Sequence, residues 1–248
     1  MDLINAYDLL NTKTEAPKQI IKGLVTVGYN LLAGTPKAGK SWVSLGFALA
    51  VAKNTAALES YSVDTGGVLY AALEDNYHRL KNRVNQLTSR DKIVPKNLDF
   101  TTNLPKLSND GMEQLHDYLN EKPETKLVIL DTLGRVSDEK KGDLYAEDYQ
   151  LGAALQSLAF AHEIAILVVH HSNKAPTSKG VNRVSGTSGV TAAADTVLVI
   201  ERKNDKIPKA TLFVTGRDTA DQEILLDWKA ASGWVAAQSD EPPAWGGY

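Results

Sequence analysis

The sequence predicts an α/β fold whose mainly parallel sheet is covered by helices on both faces and extended at its carboxyl end by antiparallel strands. Two observations predict the parallel part. Short apolar runs alternate with helix-like stretches, and the runs at 24–33, 67–73, 126–130 and 164–169 are almost continuously apolar, as strands buried on both faces are. The antiparallel part follows from short strands joined by polar turns after residue 196.

Composition limits the class of protein. The 248 residues, 43% hydrophobic and 23% charged, fit one globular domain with a sizeable core. The net charge of -3 gives no overall positive field, so a polyanion would have to be bound locally. The absence of cysteine excludes disulfides, thiolate metal sites and cysteine nucleophiles. Without a signal sequence or an apolar run that could span a bilayer, we expect a cytoplasmic protein that does not contact membrane.

The chain divides into three parts on this basis. We predict an N-terminal arm at 1–22 for subunit contact, a core at 23–237 and a flexible tail at 238–248 after Pro242 and Pro243. No fixed repeat and no long linker divides the core.

Local signals predict the elements of the core in order. Good helix formers follow the first strand and its glycine loop at 42–53, Asn76 is placed to cap a helix that ends near residue 87, and Asp110 is placed to cap another at 110–119. The remaining predicted elements are a short strand at 98–101, an amphipathic helix at 144–163, a long loop at 172–191, and strands at 196–201, 210–214, 223–227 and 234–236.

A phosphate-binding loop is the most specific motif. The residues 34–41, GTPKAGKS, match G-x-x-x-x-G-K-[ST] and lie between a predicted strand and a predicted helix. In such a loop the backbone N–H groups surround a phosphate at the positive end of the helix, the lysine reaches the β- and γ-phosphates, and the hydroxyl holds Mg²⁺. The predicted nucleotide-binding residues are Gly34, Thr35, Pro36, Lys37, Ala38, Gly39, Lys40, Ser41 and Trp42.

Polar residues at the ends of neighbouring strands complete the predicted site. Asp131, after KLVIL, is placed to hold Mg²⁺ together with Ser41. Glu74, after GVLYAAL, is placed to orient and deprotonate the attacking water; Asp75 is the alternative, although it would point away if the strand pleat continues to Glu74. His171 is placed to sense the γ-phosphate, and adjacent His170 belongs to the strand.

Two sets of cations suggest partners. The loop between His171 and Thr191 carries Lys174, Lys179 and Arg183 without an acidic residue, which suits the backbone of single-stranded DNA; an ordinary solvated loop is the alternative. A further cation should neutralise the γ-phosphate in the transition state. Arg217 is the first candidate and Arg202 the second, and either could instead be a surface arginine.

The order of these motifs resembles the RecA-like P-loop ATPases, and most closely the subgroup with hexameric replicative helicases of the RepA type from plasmids and phages. The resemblance rests on PKAGKS, LEDN, LVILDT, VVHHSNK and a Gly/Ser/Lys loop before ADTVLVI, and it covers about 21–234. It implies a ring of identical subunits, a hexamer in this subgroup, with ATP and Mg²⁺ at each interface. It also implies that Glu74, Lys40, His171 and Arg217 act in catalysis. One departure is Thr215, where related helicases carry a basic residue two positions before the arginine finger.

The sequence therefore predicts an ATP-hydrolysing motor on single-stranded DNA, a replicative helicase of a mobile element. Two alternatives stay open. One is a recombination mediator or annealing ATPase that coats single-stranded DNA without unwinding, and the other is a regulatory ATPase ring that binds proteins. A kinase is less compatible, because we find no arginine-rich lid segment.

Overall fold

The computed structural model describes residues 3–14, 16–138, 144–171, 189–202 and 207–237. The three predicted DNA-binding cations, Lys174, Lys179 and Arg183, and the predicted tail at 238–248 lie outside these ranges. Among the helices within them, none combines the length and apolar character that crossing a membrane requires.

The secondary structure follows the predicted alternation of strands and helices. The helices are α1 (Ala6–Asn11), α2 (Lys40–Lys53), α3 (Tyr77–Leu87), α4 (Met112–Glu121), α5 (Leu133–Val136), α6 (Leu144–Ala161) and α7 (Gly189–Ala192). The strands are β1 (Gln19–Ile21), β2 (Val25–Thr26), β3 (Gly28–Gly34), β4 (Gly67–Ala72), β5 (Leu98–Thr101), β6 (Thr125–Asp131), β7 (Ala165–His171), β8 (Thr196–Glu201), β9 (Lys209–Gly216), β10 (Gln222–Lys229) and β11 (Gly233–Ala236).

Nine strands of the described residues form one sheet in the order β11-β10-β9-β8-β3-β7-β6-β4-β5. The strands from β8 to β5 in this order are parallel, and β9, β10 and β11 extend the sheet antiparallel. The predicted fold class is confirmed. One detail was wrong: β8, expected among the antiparallel additions, is parallel to β3. The long connection after β7 leaves enough chain for the crossover that a parallel strand requires.

The core has two layers because the central strands are buried on both faces. On β3, Leu32 packs in one cluster with residues of α2, β1 and β2, whereas neighbouring Leu31 packs in another with residues of α4, α6 and α7. Both leucines are fully buried. Side chains of successive strand residues point to opposite faces. A central strand that is covered on both faces is therefore stable only if its residues are almost all apolar.

The two ends of the N-terminal segment differ in burial. Helix α1 is capped by Asn5, and all of its residues are exposed. Ile20 and Ile21 of β1, however, are buried in the core beside α2. The β1 residues at the end of the predicted arm thus contribute apolar side chains to the same cluster as α2.

The two predicted helix caps had different outcomes. The Asn76 side chain accepts a hydrogen bond of 2.9 Å from the N–H of Arg79, which confirms the cap of α3. The predicted cap at Asp110 was wrong. Asp110 lies in a π-helical turn, Leu107–Gly111, that precedes α4, and α4 begins at Met112 without a side-chain cap.

Candidate nucleotide-binding site

The phosphate loop connects the end of β3 to α2, which starts at Lys40, two residues before the predicted position. Gly39 has a φ of 106°, and a Cβ on it would lie 2.5 Å from Nε1 of Trp234. A Cβ on Gly34 would lie 2.6 Å from the carbonyl oxygen of Ile200. At Gly39 both the backbone conformation and the close packing require glycine, and at Gly34 the close packing alone excludes a side chain. The turn places the amino end of α2 at the carboxyl edge of the parallel strands, which is a favourable position for an anion.

A pocket of about 560 Å³ lies at this edge. It brings together eight predicted site residues with several that were not predicted, whereas Gly34, Thr35, Pro36 and Ala38 of the loop are not among the lining residues. Its lining consists of Lys37, Gly39, Lys40, Ser41, Trp42, Glu74, Arg83, Asp131, Thr132, His171, Arg202, Pro208, Trp228 and Trp234. The strand register explains the convergence: Gly34 is paired with His171 on β7, and Asp131 on β6 is paired with Ala72, two residues before Glu74.

Lys40 is held against its own loop. Its Nζ donates hydrogen bonds to the carbonyl oxygens of Gly34 (2.8 Å) and Thr35 (3.0 Å) and lies 3.1 Å from Nδ1 of His171. The side chain is buried, and burial lowers the pKa of Lys40 to about 8, although the charges of Asp131 and Glu74 oppose the shift. The ammonium is thus held at the loop, and it loses its proton at a lower pH than an ordinary lysine does.

Asp131 ends a chain of hydroxyl groups that the sequence did not predict. The Tyr70 hydroxyl donates to Oδ2 of Asp131 at 2.8 Å, and it lies 2.8 Å from Oγ of Ser44 on α2. Burial raises the pKa of the Asp131 carboxyl, and hydrogen bonds from Ser41 and Tyr70 oppose that shift. These contacts fix the carboxylate beside the Ser41 hydroxyl.

The oxygen donors at this point suit magnesium. Mg²⁺ is commonly held by one or two protein oxygens together with substrate phosphates and water. The hydroxyl of Ser41 and the buried carboxylate of Asp131 provide such a pair next to the phosphate loop. Within the described ranges, no group of three or more His, Asp or Glu side chains has the arrangement of a separate metal centre.

Glu74 stands at the mouth of the pocket, just beyond β4. Its Oε1 accepts a hydrogen bond of 2.9 Å from the Thr132 hydroxyl and lies 3.9 Å from Nε of Arg135, while its Oε2 lies 3.6 Å from Nε2 of His171. The side chain is 44% exposed, so water can reach the carboxylate. Glu74 therefore combines a fixed orientation with access to solvent.

Asp75, the alternative general base, faces elsewhere. Its carboxylate binds Arg79 Nε at 2.5 Å and Arg83 Nη1 at 2.6 Å, and its side chain is only 9% exposed. It is not among the pocket-lining residues. His170, like His171, belongs to β7 and is less exposed than His171.

The two candidate arginines lie at opposite ends of the parallel strands. Arg202 directly follows β8 and lines the pocket. Arg217 lies in the turn after β9, with Nη1 3.6 Å from Oδ1 of Asp195 and Nη2 donating to the Ala192 carbonyl at 3.3 Å. Since Asp195 precedes β8, Arg217 sits at the amino edge of the parallel strands and does not line the pocket of its own chain.

Comparisons with known proteins agree with this architecture. A family model described as an AAA domain, AAA_25, matches residues 4–177. The structure is similar to a solved structure described as an ATPase domain, with a TM-score of 0.67 and 13% identity over 94% of this chain and 96% of that chain. It is also similar to a DnaB-like replicative helicase whose structure was described with its interactions with primase. That match has a TM-score of 0.64 and 12% identity over 92% of this chain and 66% of that chain.

No curated protein sequence matches the chain significantly. At such low identities the structural likeness shows the fold, whereas the family match covers more than half of the sequence. The chain therefore belongs to the AAA-domain family, with the RecA-like P-loop fold that the solved ATPase domain and the DnaB-like helicase share.

Proposed function

We propose that the protein is an ATP-hydrolysing motor acting on single-stranded DNA, a replicative helicase of a mobile element that works as a ring of identical subunits. The observation that carries the ATPase part is the convergence of Lys40, Ser41, Asp131, Glu74 and His171 on one pocket from a loop and three strands. A phosphate-binding loop beside a solvated carboxylate provides both anion binding and activation of water.

Each residue has a separate task in this proposal. The loop N–H groups and Lys40 bind the β- and γ-phosphates, and Ser41 with Asp131 holds Mg²⁺, which neutralises phosphate charge when bound. Glu74 orients the attacking water and accepts its proton. His171, next to both Lys40 and Glu74, senses the γ-phosphate.

The position of Arg217 supports action as a ring. An arginine at the amino edge of the sheet does not line the pocket of its own subunit, but it can be presented to the pocket of a neighbour. Supply of this cation in trans would make hydrolysis depend on assembly. The local cations Lys174, Lys179 and Arg183 and the similarity to a DnaB-like replicative helicase support single-stranded DNA as the track.

The test combines three measurements on the full chain: ATPase rate with and without single-stranded DNA, mass of the assembly in solution, and strand displacement on a forked duplex. We expect oligomers whose ATPase is stimulated by single-stranded DNA and which unwind the fork, with Lys40→Ala inactive in both assays. Stimulated hydrolysis without unwinding would contradict the helicase assignment. Absence of hydrolysis under all conditions would contradict the ATPase.

A further inference from the structure

Thr132 lies between Asp131, the proposed magnesium ligand, and helix α5. It occupies the N-cap position of α5 with an extended backbone, but its side chain makes no capping hydrogen bond. Threonine is common at this position because its hydroxyl usually accepts a hydrogen bond from the first turn of the helix. The Thr132 hydroxyl instead donates to Oε1 of Glu74 at 2.9 Å. Helix capping therefore does not explain this threonine, whereas its contact with Glu74 does.

Helix α5 is anchored by one pair of residues and presents another pair to the pocket. Leu133 and Val136, three residues apart, are buried in the same core cluster as residues of β6 and β7. Thr132 and Arg135, also three residues apart, both lie near Oε1 of Glu74. Residues at this spacing lie on the same side of a helix. The buried pair thus fixes the helix, and the helix fixes the pair that faces Glu74.

Of these two partners, Thr132 holds Glu74 more firmly. Nε of Arg135 lies 3.9 Å from Oε1 of Glu74, and the arginine side chain is 62% exposed, so water screens this ion pair. Thr132 is 3% exposed, and its hydroxyl makes a direct hydrogen bond to the carboxylate. The orientation of Glu74 is therefore set mainly by the threonine.

The two oxygens of the Glu74 carboxylate have different surroundings. Oε1 accepts the hydrogen bond from Thr132, whereas no described residue donates one to Oε2. Nε2 of His171 lies 3.6 Å from Oε2, which is longer than a hydrogen bond. Because the Glu74 side chain is 44% exposed, water can reach Oε2. One oxygen is thus anchored, and the other can accept a hydrogen bond from water.

We propose that Thr132 is a positioning residue for hydrolysis: its hydroxyl fixes Oε1 of Glu74, so that Oε2 is the atom that takes the proton from the attacking water. The water oxygen forms a bond to the γ-phosphorus, the bond from that phosphorus to the β–γ bridging oxygen breaks, and ADP leaves with its electron pair. Glu74 then returns the proton to solvent. This role rests on the proposed ATP hydrolysis, and Thr132 acts in it only through Glu74.

Replacement of Thr132 separates positioning from binding. Thr132→Val keeps the shape of the side chain and removes the hydroxyl, so we expect single-turnover ATP hydrolysis about tenfold slower, with ADP affinity within twofold of wild type. Thr132→Ala should behave in the same way. Thr132→Ser restores the hydroxyl and should hydrolyse ATP within about threefold of the wild-type rate. Arg135→Gln, which removes only the screened charge, should slow hydrolysis about twofold.

A matched control removes a buried threonine hydroxyl outside the pocket. Thr88 is also 3% exposed, and its hydroxyl donates to the Val84 carbonyl at 2.8 Å. Thr88→Val should leave the rate of hydrolysis unchanged. Thermal unfolding of the Thr132 and Thr88 variants shows whether each one is folded at the assay temperature.

A double variant tests whether Thr132 acts through Glu74. In the Glu74→Gln background, Thr132→Val should slow the residual hydrolysis less than twofold, because the base that it positions is already absent. A purely structural effect of Thr132 would instead slow both backgrounds by the same factor. The comparison therefore gives a result that loss of packing alone does not produce.

The outcomes distinguish this role from the proposed function itself. Wild type that does not hydrolyse ATP overturns both, and near-normal hydrolysis in Glu74→Gln overturns Glu74 as base and Thr132 with it. If Glu74→Gln is slow, three results overturn the positioning role alone. They are a Thr132→Val rate equal to or above that of wild type, a loss of ADP affinity that matches the loss of rate, and equal effects of Thr132→Val in the two backgrounds.

Discussion

Glu74 and His171 face each other at the mouth of the phosphate loop, with Oε2 of Glu74 3.6 Å from Nε2 of His171. The other ring nitrogen of His171 lies 3.1 Å from Nζ of Lys40. One imidazole thus spans the proposed phosphate-binding cation and the proposed general base. If a change at the γ-phosphate moves Lys40, the His171 side chain can transmit that movement to Glu74.

Replacement of Glu74 by glutamine should separate binding from hydrolysis. Glutamine keeps an acceptor for the Thr132 hydroxyl but cannot take a proton from water, so we expect ATP hydrolysis about 100-fold slower and ATP affinity within a few fold of wild type. Single-turnover rates and equilibrium binding measure the two effects. Glu113→Gln, an exposed glutamate on α4, is the matched control. Near-normal turnover in Glu74→Gln would remove Glu74 from the role of base.

Nucleotide affinity should fall in mildly alkaline solution. Burial lowers the pKa of Lys40 to about 8, so the ammonium is protonated at pH 7 and largely neutral at pH 9. If only the protonated form binds, ADP affinity measured by titration should be about tenfold weaker at pH 9 than at pH 7. A constant affinity up to pH 9.5 would mean that Lys40 titrates as an ordinary exposed lysine.

Tyr70→Phe should alter the acid side of the pH–rate profile. The Tyr70 hydroxyl donates to ionised Asp131, and loss of this bond should raise the pKa of the carboxyl further above its ordinary value. The acid limb of kcat/KM should therefore move to higher pH, with a stability loss of about 1–3 kcal/mol for the unpaired buried groups. Tyr118→Phe, whose lost donor lies outside the pocket, should leave the limb in place. An unshifted limb in Tyr70→Phe would show that Asp131 does not limit the rate.

The residues predicted from the sequence share a local signal, whereas those missed depend on strand order. Glu74, Asp131 and His171 each follow an apolar run, and parallel strands bring their ends to one edge. Tyr70 was missed because its contact with Asp131 requires β4 and β6 to be neighbours. Trp234 was missed for the same reason: it reaches Gly39 only after an antiparallel extension of the sheet.

The direction of β8 shows a further limit of local patterns. Its sequence, TVLVIE, suits a parallel or an antiparallel strand equally, and only the length of the preceding crossover separates the two. That choice also decides where the arginines lie. A parallel β8 ends at the phosphate loop, so Arg202 enters the pocket and Arg217 is left at the other edge.

The cationic segment between His171 and Thr191 should set the salt dependence of single-stranded DNA binding. Replacing Lys174, Lys179 and Arg183 by alanine should weaken single-stranded DNA binding and reduce the slope of log affinity against log salt by about 2, since each phosphate contact contributes about 0.7. Fluorescence anisotropy across a salt series measures both. Alanine at the exposed lysines Lys13, Lys81 and Lys96 is the charge-matched control. An unchanged slope would show that these three cations do not contact the DNA backbone.

Subunit mixing distinguishes an arginine supplied in trans from one acting in its own pocket. Lys40→Ala and Arg217→Ala should each be inactive alone, with hydrolysis in Arg217→Ala reduced about 1,000-fold while ADP binding is retained. In the proposed ring a Lys40→Ala subunit would still present Arg217 to the intact pocket of its neighbour, so mixing should restore part of the activity. Arg202 lines the pocket of its own chain. Mixing Lys40→Ala with Arg202→Ala should therefore give no more activity than the Arg202→Ala subunits have on their own. Rescue with Arg202→Ala but not with Arg217→Ala would reverse the two assignments.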